Sequence, residues 1–232
     1  MPPVRNDAAI HDPLIVFAYL AGVTSTIKFG TGVYILPLRN PIAVAKAVAT
    51  LDQLSNGRFL FGVGIGWLKE EFEWVGMDWD NRERRNNEML KLMEALFTQE
   101  VPKFKGKTVS TEDFYFNPKP AQQPHPPYII GGNTDAAIKR ACRLGDGWYG
   151  IAKQPDQAIE LVKRVRENEK AYNRVKPLEL TMGAQWRSTT VDDVRRLKDA
   201  GVERVLPSGL VARDSLGALR RIHEEVVAKF HG

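Results

Sequence analysis

The chain has 232 residues, 43% hydrophobic and 26% charged, with a formal net charge of +5. That is enough apolar material for a buried core, expected as a single domain over 1–232, and it excludes a disordered or fibrous class. Basic residues interleave with acids, as in KRVRENEK at 163–170, which describes a solvated helix face and not a nucleic-acid stripe.

One cysteine, Cys142, excludes an internal disulfide and a four-cysteine zinc site. No run reaches the ~18 apolar residues of a membrane span and MPPVRNDAAIHD has no signal-peptide core, so a cytoplasmic location is expected. The first predicted helix covers 13–22, with Asp12 as N-cap and Pro13 at the first helical position. IKFGTGVYIL, 27–36, reads as a strand. Asn40 and Pro41 then open a helix with Val44, Val48 and Leu51 on its core stripe, closed by Gly57. RFLFGVGIGW, 58–67, is a strand ending in Gly62, Gly64 and Gly66, followed by an acidic segment and a helix over 82–97. Residues 99–127 read as an insertion, with FKGKTVSTEDFYF as a hairpin and NPKPAQQPHPP as a stiff proline-rich return.

Alternation resumes with strand YIIGG, a helix over 134–144, strand GWYGI and a helix over 155–172 carrying Ile159, Val162 and Val165 on one face. Strand LELTMGAQW follows, then a helix opened by Thr190 and Asp193 as a capping box and closed at Gly201. Strand RVLPSGL and a helix over 214–230 complete the chain.

Six strands alternating with helices predict an α/β fold, a parallel sheet covered by helices, either open or closed as a barrel. In the open form GVGIGW would be a dinucleotide fingerprint, but Trp67 stands where a small residue must let the helix pack on the strand. Glycine at a strand end serves a turn, a bulge or the close approach of a ligand. Three places pose that choice: Gly30 and Gly32, then Gly62 to Gly66, then Gly131 and Gly132 before Asn133 and Thr134. The last collects backbone N–H groups and a hydroxyl at the positive end of a helix dipole, which is a competent anion site. It is also what an ordinary strand-to-helix connection capped by Thr134 looks like.

TGVYILPLRNPIAVAKAVATLDQLSNGRFLFGVGIGW, EEFEWVGMDWDNRERRNNEMLKLMEALFT and FNPKPAQQPHPPYIIGGNTDAAIKRACRLGDGWY together resemble the luciferase-like monooxygenase superfamily. The closer likeness is to its branch that uses the deazaflavin coenzyme F420, and it spans about 12–156 with a weaker tail. The resemblance implies a (β/α)₈ TIM barrel holding a flavin or deazaflavin at the C-terminal ends of its strands. It implies a non-prolyl cis peptide at Gly32 and Val33 backing the tricyclic ring. Gly64, Ile65 and Gly66 would lie along the ring and phosphate side, with Ile65 where luciferase relatives carry an arginine. Gly131, Gly132, Asn133 and Thr134 match the family's phosphate-binding loop and helix start.

Family members begin with a strand, a helix and a second strand ahead of the helix that here starts at Pro13. Those segments have no counterpart, so an incomplete barrel of six strands is expected, either truncated at its start or covered at its edges by a partner chain. Exposed edges and the family's habit of pairing through helices imply a homo-oligomer.

His11, His125, His223 and His231 share no metal spacing, and no metal is expected. Arg82, Arg85 and Glu88 match a family pattern and equally a solvent-facing ion-pair row; Glu70 and Glu71 follow the glycine turn and could face the cofactor, although acids in the first turn of a helix are expected anyway. Ring-facing groups are expected near Trp148 and Gln185. No nucleophile has a base beside it and no catalytic residue is assigned, because the cofactor carries the redox chemistry. The implied function is hydride transfer between coenzyme F420, whose glutamate tail suits the excess of Lys and Arg, and a small organic substrate. An FMN-dependent two-component monooxygenase and a non-catalytic flavin-binding protein are the alternatives.

Overall fold

The computed structural model describes residues 10–186, 188–207 and 215–231. The chain divides into two compact units, Met1–Phe61 with Ile65–Pro126, and Gly62–Gly64 with Pro127–Gly232.

In the first unit, α1 (Pro13–Val23) starts where Asp12 Oδ1 accepts hydrogen bonds from the amides of Leu14 and Ile15. The predicted strand over 27–36 is broken into β1 (Phe29–Gly30) and β2 (Tyr34–Ile35) by a segment containing a cis Gly32–Val33 peptide bond. A 3₁₀ turn over Leu36–Leu38 leads into α2 (Pro41–Leu54), whose N-cap Asn40 accepts from the amides of Ile42 and Ala43. The stripe predicted for this helix is buried: Val44, Val48 and Leu51 face inward, against α1 and the helix α4 described below. Strand β3 (Phe59–Gly64) runs parallel to β1, with Phe29 opposite Phe59 and Gly30 opposite Leu60.

Arg58 locks these pieces together. Its guanidinium donates to the carbonyls of Ala21, Thr24 and Ile27, and its Nε to that of Ser55. One planar fork thus satisfies carbonyls left over at the ends of α1 and α2.

Helix α3 (Lys69–Trp74) is short, and α4 (Arg82–Thr98) buries Met89, Leu92, Met93, Leu96 and Phe97. The insertion does contain a hairpin, β4 (Phe104–Lys105) antiparallel to β5 (Ser110–Thr111). Its proline-rich return is fixed by Asp52, a fully buried carboxylate that accepts from both the amide and the Nε2 of Gln122, each at 2.7 Å.

The second unit is regular. Strands β6 (Tyr128–Gly131), β7 (Gly147–Ala152), β8 (Glu179–Ala184) and β9 (Arg204–Leu206) pair in parallel in chain order. Parallel neighbours need a crossover, and helices α5 (Asp135–Leu144), α6 (Pro155–Ala171) and α7 (Val191–Asp199) supply it. Helix α6 buries Ala158, Leu161, Val162 and Val165, while Ile159, predicted for that face, lies at its margin. The Thr190–Asp193 capping box is present in both directions.

After β9 the predicted strand RVLPSGL and the start of the next helix fall partly outside the described residues. Helix α8 (Ser215–Ile222), a π turn over His223–Val227 and α9 (Ala228–His231) follow. The six strands read from the alternation, β1, β3, β6, β7, β8 and β9, are therefore all present.

Candidate functional site

The loop between β6 and α5 is built to leave main-chain donors free. The Gly132 amide donates to the carbonyl of Tyr149 at 3.0 Å, and its carbonyl accepts from Trp148 Nε1 at 2.8 Å, so both polar groups of Gly132 are used internally. Asn133 spends its side chain the same way: Nδ2 donates to the carbonyl of Ile151, and Oδ1 accepts from the Ile151 amide. Thr134 is the N-cap, its hydroxyl accepting from Ala137.

The amides of Asn133, Thr134, Asp135 and Ala136 meet no acceptor among the described residues, and Thr134, Asp135 and Ala136 are exposed. The donors offered here are thus backbone N–H groups. The hydroxyl and carboxamide that the sequence reading places in the same loop serve to shape it. Asp135 would oppose an anion at this helix end, but its carboxylate is paired with Arg164. Gly132 sits at φ +124, and a Cβ there would come within 2.9 Å of the Ala137 Cβ, so glycine is what lets the chain enter α5 at this angle.

The glycine turn after β3 has a different explanation. Gly66 has φ +82, and a Cβ on it would lie 2.8 Å from Phe72 and 3.0 Å from Ile35. Phe72 in turn stands edge-on to Trp79, and the Arg82 guanidinium lies 3.6 Å from the centre of the Trp79 ring. Internal packing therefore already requires glycine at 66. Gly30 is under no such demand, since a Cβ there would make ordinary contacts with Leu60. Gly64 ends β3, Ile65 is half-buried beside it, and Gly32 and Val33 form the cis peptide.

Several sequence expectations are corrected by geometry. Arg85 and Glu88 are no solvent-facing ion-pair row. Arg85 donates to the carbonyls of Pro37 and Arg39, and Glu88 Oε2 accepts from the amide and hydroxyl of Thr108 at 2.7 and 2.6 Å, which pins the hairpin to α4. Burial alone would push the Glu88 carboxyl up, but the hydrogen bonds from Thr108, Lys107 and Val109 outweigh it and hold the group below its usual range. Trp148, expected near the ring, is fully buried under Gly132.

His125 Nδ1 lies 3.0 Å from the carbonyl of Pro126, as a loop residue does. The Cys142 thiol is buried; burial first, then Glu169, push it up against the opposing effect of Arg174, which leaves it a poor nucleophile. Among the described residues no group of His, Cys, Asp and Glu is arranged to hold a metal ion, and none of their helices is long and apolar enough to cross a membrane.

The family model for luciferase-like monooxygenases matches residues 2–197. The chain belongs to that family. It is similar to the uncharacterized protein Rv0940c of Mycobacterium tuberculosis, 32% identical over 199 residues that make up 84% of this chain and 66% of that one. It is also similar to an FMNH(2)-dependent dimethylsulfone monooxygenase of Pseudomonas putida, 34% identical over 142 residues, 60% of this chain and 39% of that enzyme.

Among solved structures, the coenzyme F420-dependent tetrahydromethanopterin reductase of Methanopyrus kandleri superposes with a TM-score of 0.79 at 18% identity, covering 95% of this chain and 88% of that one. That likeness shows the fold, a luciferase-like TIM barrel architecture. The chain spans about two thirds of the length of the mycobacterial relative.

The β6–α5 loop leaves main-chain donors open at a helix start. Four amides without an acceptor among the described residues stand at the start of α5, Gly132 lets the chain enter that helix, and the neighbouring Asp135 is paired with Arg164. What sequence reading missed is that Asn133 acts as a brace. Its position directly after a strand-ending glycine pair was visible, but the backbone of Ile151, 18 residues later, was not legible as its partner.

Proposed function

We propose that this chain is an oxidoreductase that transfers hydride between the deazaflavin coenzyme F420 and a small organic substrate. The observation that carries the reading is the run of four free amides from Asn133 to Ala136 at the head of α5, in a chain of the luciferase-like family. In the second unit, those amides would hold the cofactor phosphate and Asn133 would keep the loop in register with β7.

A bound deazaflavin supplies a carbon centre that gives or accepts a hydride; the protein's share is to orient it and keep water away. The net charge of +5 suits a coenzyme ending in glutamates, and an F420-dependent reductase shares the fold. A second reading, an FMN-dependent monooxygenase, is favoured by the 34% identity to an FMNH(2)-dependent enzyme.

The two separate in one assay. Under anaerobic conditions the chain with reduced F420 is offered a panel of enones and nitroaromatics, and in parallel it is offered reduced FMN with oxygen. The F420 reading expects substrate-dependent oxidation of the deazaflavin in the absence of oxygen. Substrate oxygenation with FMN, and none of that oxidation with F420, overturns it.

A further inference from the structure

Trp148, Leu180 and Met182 are fully buried on one face of the second unit's sheet, and α5 and α6 pack on its strands, α5 on β6 and β7 and α6 on β7 and β8. The register places Gly131, Tyr149, Thr181 and Arg204 opposite one another across four parallel strands. Residues in one such row project from the same face. On that face the lower groups satisfy each other, Arg204 donating to Thr181 Oγ1 at 3.0 Å and to Glu179 at 2.9 Å.

Tyr149 is different. Its phenol leans one pleat toward the C-terminal ends of the strands and lies over Gly183, where a Cβ would come within 2.7 Å of the hydroxyl oxygen. Gly183 is flanked in its own row by Ile151 and Leu206, which are 37% and 42% exposed. The Tyr149 hydroxyl meets no hydrogen-bond partner among the described residues, although the residue is half-buried. The hydroxyl oxygen is not closed off from solvent, so it stands open to a ligand.

We infer that Tyr149 is a ligand-binding residue whose hydroxyl, seated between Ile151 and Leu206, donates a hydrogen bond to a carbonyl oxygen of a flat organic ligand. Two exposed aliphatic side chains provide an apolar platform for the ligand's plane, and the phenol supplies one fixed donor. Gly183 is the space-making partner, because any side chain there would displace the phenol. Burial pushes the Tyr149 hydroxyl up from its usual range, so the group stays protonated and able to donate through neutral pH. The carbonyl has two sources in the proposed function on which this rests, the ring of the cofactor or the organic substrate. The platform lies next to the loop that would hold the phosphate, since Ile151 is the residue braced by Asn133.

The test uses the full chain labelled with 3-fluorotyrosine, in which the six tyrosines give separate fluorine signals and the Tyr149→Phe variant identifies the one of interest. FMN, F420 and cyclohexenone are titrated singly, and cyclohexenone again with cofactor present. The proposal expects the Tyr149 signal to move saturably with a cofactor, if the ring is the source, or with the enone, if the substrate is. The affinity for that ligand should fall about three- to tenfold in Tyr149→Phe, and equally in Gly183→Ala provided its unfolding midpoint shows a folded protein. A Tyr149 signal unmoved by every ligand, with Tyr149→Phe binding as the parent does, overturns the proposal. Failure of the unlabelled parent to bind either cofactor overturns the functional reading instead, and the enone arm still decides the role of Tyr149.

Discussion

Asn133 and Ile151 hold each other by two hydrogen bonds, Asn133 Nδ2 to the Ile151 carbonyl at 2.6 Å and the Ile151 amide to Asn133 Oδ1 at 3.1 Å. A carboxamide is the side chain that can donate and accept in this geometry. Asn133→Ala removes both bonds and is expected to destabilise the chain by about 1–3 kcal/mol, read from urea denaturation. Asn133→Asp keeps an acceptor for the amide but sets a carboxylate against a carbonyl, so it is expected to be no better than alanine. A variant as stable as the parent would show that the pair contributes nothing.

Gly132 carries the clearest backbone constraint at the site. Its φ of +124 is rarely adopted by residues with a side chain, and the nearest atom to an added Cβ is that of Ala137 at 2.9 Å. Gly132→Val is expected to cost about 1–3 kcal/mol of stability and to weaken FMN and F420 binding together, because the amides that follow shift with the loop. Unchanged affinity in a folded Gly132→Val protein would place the phosphate elsewhere.

Glu88 makes the hairpin sensitive to acid. Its carboxyl is held below the ordinary range in the folded chain, so the stabilisation it gives is fully present above the unfolded value of about 4.3 and is lost as pH falls through the lower folded value. Glu88→Gln is expected to lower stability at neutral pH and to flatten its dependence on pH below about 4.3. Urea denaturation across an acid series checks this, and parallel curves for the two proteins would contradict it.

Helix α1 is apolar on all sides, yet Ile15, Tyr19 and Val23 are 72%, 73% and 63% exposed and share one face at i, i+4, i+8. A helix of that composition is normally covered. The expected outcome is a homo-oligomer at micromolar concentration, which the paired substitutions Ile15→Asp and Tyr19→Asp shift toward monomer. Light scattering that finds the parent chain a stable monomer contradicts the expectation.

The order of elements was legible in the sequence because caps and periodicity are local. Asp12, Asn40, Thr134 and Thr190 each act where they were placed. The break of the 27–36 strand had no local signal in its apolar pattern, and came only with the family resemblance. Long-range roles were hidden for the same reason. Glu88 looked like half of a helical ion pair until the hairpin 20 residues away supplied its donors. Gly66 reads in the sequence as room for a ligand, and in the fold Phe72 and Ile35 occupy the space beside it. Tyr149 in GWYGI carries no local signal, because its place depends on Gly183 in the neighbouring strand.

The most direct test of the flavin-site account is an equilibrium titration of the purified 232-residue chain with oxidised F420 and with FMN, followed by quenching of cofactor fluorescence. The account predicts saturable binding of one cofactor per chain, tighter for F420 than for FMN, and weakened for both by Gly132→Val. Equal or reversed affinities would contradict the choice of F420, and the absence of saturable binding by either cofactor to a folded chain would contradict the account as a whole.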